Sequence, residues 1–462
     1  MTRDHPCRAL WPALLALVLL LTANGCQAPA ATPTPVPSSP PSTLSAHPPT
    51  PTLAPTITPA ATATAAPPTP TWMATAQPTA TASATGTAAP SRVPSATAKT
   101  SPTPRPTGSP RPTQGPPTPT KTSAPSGAAG APGAKPKGSP LTYQPVFPAV
   151  SPAGAPPALD AQTNPLTGNR VADAGKLQRR PLLVRYGNDA AARPHAGISQ
   201  AEFVFEDLMD AWWITRLTAI FLEQEPRQAG PIRSARPVNI ELLQATKGVL
   251  VYSGASIGVT QLLVQGHFDL VDENNAGKAF FRSSQKPSPH NLYANLATVR
   301  EQIRARGLER PVDLRGLSFA PEAPAGQPAT RLAIPYPATS SVVWTFDGQA
   351  GVYRRWVQGA AYTDALTGAQ VGCENVIVLY AQHWESNIVE DSRGATAIGI
   401  ALQGGERVHI LRDGRVIEGY WWRGGADQFF QFIAPNGQHI PLKPGRTWVE
   451  IVPLSYKPSI TS

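Results

Sequence analysis

"PVNIELLQATKGVLVYSGASIGVTQLLVQG", residues 237–266, decides the fold class. Its first part, "PVNIELLQATKG", reads as a helix closed by Gly248; "VLVYSG" is a short apolar run of the buried-strand kind; "VTQLLVQG" is helical again. Working upstream, "PLLVRYG", "AEFVFEDLMD" and "ITRLTAIFLEQ" are β-rich runs, and "NPLTG" at Asn164–Gly168 is a turn that marks where folding begins. Downstream, "NLATVREQIRARG" places Leu296, Val299 and Ile303 on one helical face and stops at a glycine. Strands interleaved with helices predict an α/β lobe over 164–310.

Beyond an inter-lobe linker, 311–327, the pattern changes. "SVVWTFDGQAGVYRRWVQG", "ENVIVLYAQHWE", "ERVHILRDGRVIEGYWWRG" and "DQFFQFIAPNGQHIPLKPGRTWVEIVP" alternate apolar and polar residues, with Asp347-Gly348, Asp413-Gly414 and Asn436-Gly437 at hairpin positions. This predicts a mostly β lobe over 328–454, followed by a short tail, 455–462. No period of 20–50 residues marks a repeat protein.

The N-terminal part is of another kind. "MTRDHPCRALWPALLALVLLLTANGC" has a basic start, an apolar run from Ala9 to Leu21 and small residues before Cys26. That is a secretory signal rather than a membrane span. Its "ANGC" ending resembles a lipobox, so 1–26 is read as a lipoprotein signal peptide with Cys26 lipidated; an ordinary cleaved signal is the alternative. Residues 27–140 are rich in Pro, Thr, Ala and Ser, too poor in large apolar groups to build a core, and read as a disordered tether. Residues 141–163 form an extended lead-in to the folded part.

Of the formal charge of +10, +1 lies in residues 1–26 and +7 in 27–140, leaving +2 for 141–462. A folded part so nearly neutral lacks the basic footprint of a nucleic-acid binder. Cys7 leaves with the signal and Cys26 carries lipid, so Cys373 alone remains; no intramolecular disulfide or multi-cysteine zinc site is expected. His267, His383, His409 and His439 lack any metal-ligand spacing, and neither a metal nor a cofactor is expected.

Polar residues gather in four loop-like stretches: "YGNDAAARPHAGISQAEFVFED", "ITR", "GPIRSARP" and "FFRSSQKPSPHN". Arg193, Arg216, Arg233, Arg236 and Arg282 carry the forked donors that recognise phosphate or carboxylate, with Asn188, His290 and Asn291 as companions. Glu206, Asp207 and His290 are candidates to orient the arginines or to move protons, His290 and Glu206 being the acid–base pair a hydrolase would need. The plainer alternative is that Glu206 and Asp207 neutralise arginines in a structural network. Ser253 in "YSGAS" lacks a complete nucleophile-elbow pattern and reads as a strand-to-helix turn. Trp212-Trp213 and Trp421-Trp422 could stack on sugars, but such pairs more often divide between a core and a covered face.

Together with "NPLTG" and the closing "GRVIEG...IPLKPGRTW", these stretches resemble, in order and from Asn164 to Pro453, the YerB-like family of bacterial lipoproteins. The resemblance implies a lipid-anchored, extracytoplasmic, two-lobed protein of unassigned activity. The chain departs from the family pattern at Gly187, where Asp is expected, at Trp212-Trp213, where Gly-Gly is expected, and at Tyr252, where His is expected. Two proton-transfer groups are thereby missing. The expectation is a cell-membrane lipoprotein that binds an anionic ligand or a partner protein of the envelope; the alternatives are a hydrolase of an envelope phosphodiester or glycan, and a structural surface module.

Overall fold

The computed structural model describes residues 141–462; the signal segment, Cys26 and the 27–140 tether lie outside the described residues. Five strands of the first stretch, β1 (Leu182–Gly187), β2 (Phe203–Leu208), β3 (Thr215–Phe221), β4 (Val249–Val251) and β5 (Leu270–Val271), lie side by side in the order β5-β4-β1-β3-β2. The sheet does not stop there. β2 pairs in parallel with Thr447–Pro453, which pairs in parallel with Asn375–Ala381. The antiparallel strands Gly404–Arg412, Arg415–Arg423 and Gln431–Ile433 follow, and Gln327–Pro328 joins the side of Arg415–Arg423 to complete eleven strands.

The described chain is therefore mostly β with three α helices, and one sheet runs through both stretches that the sequence reading separates into an α/β and a mostly β lobe. Apolar alternation reveals that a strand exists but not its partner. The parallel partner of Phe203 is Thr447, and no local signal connects them.

The two-residue period of the strands sorts their side chains between two cores. Leu182, Val184 and Tyr186 of β1 enter one, shared with Trp344, Tyr353 and Trp448 and with helix α3 (Leu296–Ala305). Leu183, with Phe203, Phe205 and Ile220, enters the other, covered by helices α1 (Val238–Thr246) and α2 (Ile257–Gln265). A second, six-stranded sheet built on Arg331–Ile334, Val342–Asp347 and Val352–Val357 contributes to the first core. The apolar stripe of α3 is fully buried at Leu296, Val299 and Ile303, as its spacing requires; cutting Leu296 or Ile303 to alanine costs about 2–5 kcal/mol. Asp413-Gly414 forms a two-residue hairpin turn with φ of 52° and 70°.

Helix ends follow local chemistry. The Ser256 side chain accepts from Val259 N at the start of α2, and Asn295 accepts from Thr298 N at the start of α3. α1 ends at Thr246, two residues before the glycine expected to close it, because Lys247 itself takes the left-handed conformation (φ 52°). Trp421 is buried, with its indole N–H donating to Tyr380 O (2.7 Å), while Trp422 leans on Phe147 of the lead-in, 4.5 Å between ring centres.

Candidate anion-binding site

The ends of β1 and β4, the start of β3 and the 230–237 loop meet on the α1/α2 side of the sheet. Three backbone hydrogen bonds sew the loop in place: Arg233 N to Arg185 O (2.8 Å), Ser253 N to Arg233 O (3.0 Å) and Ala235 N to Gly254 O (3.0 Å). Gly187 makes room for what the loop carries. A Cβ there would lie 2.5 Å from Arg233 Cγ, so the glycine that replaces the expected Asp is the space occupied by the Arg233 side chain.

Arg216 is the second residue of β3, opposite Gly187 on one side and Asp207 on the other. Asp207 is not its partner: both Asp207 oxygens are taken by the buried Arg185, whose Nη2 lies 2.8 Å from Oδ2. Arg216 is only 6% exposed, and its one hydrogen bond runs from Nη1 to Ser234 O (2.8 Å); no carboxylate lies within ion-pair distance among the described residues. Burial pushes its guanidinium well below the ordinary arginine range, helped by the like charges of Arg236, Arg185 and Arg233 and only partly opposed by Asp210. A buried cation with no carboxylate in ion-pair contact is expensive.

Arg233 is the second incompletely satisfied cation. Its Nε is enclosed without a partner, and its Nη1 reaches Pro289 O at 3.5 Å, the outer limit of a hydrogen bond. Beside it, His290 Nδ1 stands 3.8 Å from Asp189 Oδ2 and makes no hydrogen bond. Burial lowers the His290 pKa; Asp189 opposes this, and Arg233, Lys286 and Arg216 add to it, so imidazole and guanidiniums share one field. Lys286, held down to about 8 by burial, is tied to the carbonyls of Ala192 (2.5 Å) and Pro194 (2.7 Å).

The other residues expected at the site are placed elsewhere or are already satisfied. Arg236, the sequence neighbour of Arg233, is gripped by Asp210 through Nε (3.0 Å to each oxygen) and Nη2 (2.6 Å), with Glu390 3.3 Å from Nη1. Burial works against its charge, but the hydrogen bonds and charge of Asp210 prevail and hold the guanidinium above its ordinary range. Arg282 lies at the rim, donating to Asn291 Oδ1 (3.0 Å) and Glu273 Oε2 (2.5 Å), and Ser253 Oγ donates to Glu273 Oε1 (2.5 Å). Arg193 faces a different cavity, beside Gln358 and Tyr362.

Glu206 lies on the opposite face of the sheet from Asp207, as adjacent strand residues must. It is fully enclosed, with Oε2 2.5 Å from Arg355 Nη2 and Oε1 accepting from Thr215 (2.6 Å) and Asn188 (3.2 Å). Arg355 also binds Glu450 (2.9 Å) and stacks over Trp448 at 4.2 Å. Burial pushes Glu450 up to about 8; Glu206 adds to that shift and Arg355 opposes it. No hydrogen bond or ion pair joins Glu206 to His290. Asn188, likewise buried, spends both amide donations on Glu206 and Thr215 (2.8 Å).

Sequence reading missed Asp189, Asp210, Lys286 and Glu390, which decide which arginines remain free. Asp189 and Asp210 stand inside or at the end of quoted stretches and were within reach. Glu390 comes from the 383–400 hairpin, more than 150 residues away from Arg236, and carries no local signal. Among the described residues no group of three His, Cys, Asp or Glu could hold a metal ion, and no helix is long and apolar enough to cross a membrane.

The family described as protein of unknown function DUF3048 matches the chain with its N-terminal domain over residues 166–309 and with its C-terminal domain over 332–449. A curated protein of Bacillus subtilis (strain 168), named "Putative lipoprotein YerB", is 30% identical over 296 residues, which cover 63% of this chain and 86% of that protein. The chain belongs to the YerB-like, DUF3048 family. A crystal structure of the YerB protein from Bacillus subtilis matches with a TM-score of 0.56 at 28% identity, over 64% of this chain and 98% of the other. Membership of the YerB-like family thus spans both the stretch that supplies β1–β5 and the stretch that completes the sheet.

Proposed function

We propose that this protein is an extracytoplasmic lipoprotein, anchored in the cell membrane through lipidated Cys26 and a 27–140 tether, whose folded part binds an anionic ligand of the cell envelope between Arg216 and Arg233. The lipoprotein name of its Bacillus relative and the "ANGC" end of the signal support the anchor. One observation carries the ligand: Arg216, almost wholly buried, has a single backbone hydrogen bond and, among the described residues, no carboxylate within ion-pair distance. An anion seated there would relieve its desolvation and the repulsion from its guanidinium neighbours. Arg233 supplies the second fork, and neutral His290 supplies a donor that closes the pocket without requiring protonation. Glu206, enclosed by Arg355, does not favour the hydrolase reading.

The test is calorimetric titration of the full chain with inorganic phosphate, sulfate and a phosphosugar, wild type against Arg233→Ala and His290→Ala. Losing one charge-assisted contact should weaken binding by about 1.5–3 kcal/mol, roughly ten- to a hundred-fold. No heat with any of the three anions would end the ligand reading, leaving the arginines as struts. The anchor is tested separately: Cys26→Ser should release the protein from the membrane fraction and abolish metabolic lipid labelling, and persistent labelling would place the anchor elsewhere.

A further inference from the structure

A second cavity, of about 410 Å³, opens on the side of the molecule that carries the six-stranded sheet, between the 190–194 loop and the turn after Val352–Val357. Ala190, Pro194, Val357 and Ala361 give it small apolar walls, and Gln358, Tyr362 and Thr363 give it neutral polar ones. Into this lining projects one charge, Arg193. Its Nη2 donates to Gln358 Oε1 (2.5 Å), its Nη1 is enclosed without any partner, and no carboxylate lies within ion-pair distance among the described residues.

The guanidinium is held rather than free. Gln358 and Gly359 form the hairpin turn with φ of 52° and 77°, and the Gln358 amide is itself fixed by donating to Ala338 O (3.2 Å). On the other side, Lys286 binds the carbonyls before and after Arg193. The Tyr362 hydroxyl is engaged with His195 Nδ1 and is not available to Arg193 as a strong partner. An arginine held in this way, the one charge among small apolar walls and a few neutral polar groups, is the arrangement that orients a small ligand by its one polar end.

We propose that this cavity is a binding site for a small carboxylate with a short apolar body, the carboxylate on Arg193 and the body against Pro194, Val357 and Ala361. One guanidinium matches one negative charge, and a planar carboxylate matches its fork. The carboxylate could belong to a free short-chain acid or to the C-terminal residue of a short peptide; the chemistry at Arg193 is the same. This site is distinct from that of Arg216 and Arg233 and stands or falls independently of it.

Saturation-transfer NMR on the full chain tests it with four probes: butyrate, butyramide, N-acetyl-alanyl-alanine and the amide of that dipeptide. Saturation of butyrate, of the free-acid dipeptide or of both, with neither amide saturated, is expected, and which acid responds identifies the source. Arg193→Gln should weaken the responding acid at least about tenfold. Ala361→Leu, at an exposed wall position that folding tolerates, should abolish it by filling the cavity. Equal signals from acid and amide, no signal from either acid, binding retained in both variants, or displacement of the acid by inorganic phosphate would each overturn the proposal.

Discussion

Replacing Arg216 with methionine distinguishes a ligand-seeking arginine from a strut by the sign of its effect. Methionine keeps most of the apolar stem and removes the charge. In the free protein, Arg216 is buried near Arg236, Arg185 and Arg233; its one hydrogen bond goes to the Ser234 carbonyl, and the charge of Asp210 offsets the repulsion only in part. Replacing uncompensated buried charge with a well-packed apolar group recovers about 1–4 kcal/mol, from which about 1 kcal/mol is lost with the Ser234 hydrogen bond. The variant is therefore expected to be at least as stable as wild type without phosphate, by up to about 3 kcal/mol, a rise of up to a few degrees in Tm at about 2 °C per kcal/mol for a folded part of this size. Phosphate at a hundredfold excess over Kd adds about 2.7 kcal/mol to the wild type and nothing to the variant, closing or reversing the gap. The assay is a pair of thermal melts, with and without phosphate. A variant that melts lower than wild type in phosphate-free buffer would refute the reasoning, because Arg216 would then be making a net stabilising contact.

Asp210→Ala leaves Arg236 with Glu390 alone and should cost about 3–5 kcal/mol, read as a lowered urea midpoint at unchanged slope; a change under about 1 kcal/mol would contradict the role of Arg236 as a strut. Glu206→Ala strands the enclosed Arg355 between Glu450 and its aromatic neighbours and should likewise cost about 3–5 kcal/mol; a near-neutral effect would show that Glu450 suffices. His195, buried between Gly187 O and the Tyr362 hydroxyl, has its pKa lowered to about 3, mainly by burial. The unfolded chain takes up this proton below its ordinary value near 6.5 and the folded chain does not, so the contribution is complete above pH 6.5 and is lost as pH falls toward 3. His195→Gln should flatten the stability profile across that window by about 1.4 kcal/mol per pH unit relative to wild type, and parallel wild-type and variant profiles would sink the assignment.

What was legible in the sequence was local. The apolar stripe of Leu296, Val299 and Ile303 needs only its own spacing, and Asp413-Gly414 needs only its own turn chemistry. Arg233 and the "PHN" segment were recognisable as neighbours because both sit on proline-framed loops at strand ends. The pairing of β2 with Thr447–Pro453 was not legible, because register over such a separation is set by which faces can be buried together. Nor was the division of labour among the arginines. Arg233 and Arg236 look equivalent three residues apart, yet Asp210 and Glu390 neutralise one and leave the other. Arg216 was recognisable as a candidate in "ITR", but nothing in its spacing showed that Asp207 would be taken by Arg185 and leave it, among the described residues, without a carboxylate in ion-pair contact.

The central claim, that an anion sits between Arg216 and Arg233, is tested most directly by anomalous diffraction from crystals of the protein soaked in selenate. The account predicts a peak within hydrogen-bond distance of both guanidiniums, with His290 on its open side. Peaks confined to exposed surface lysines and arginines, with none at Arg216, would contradict it.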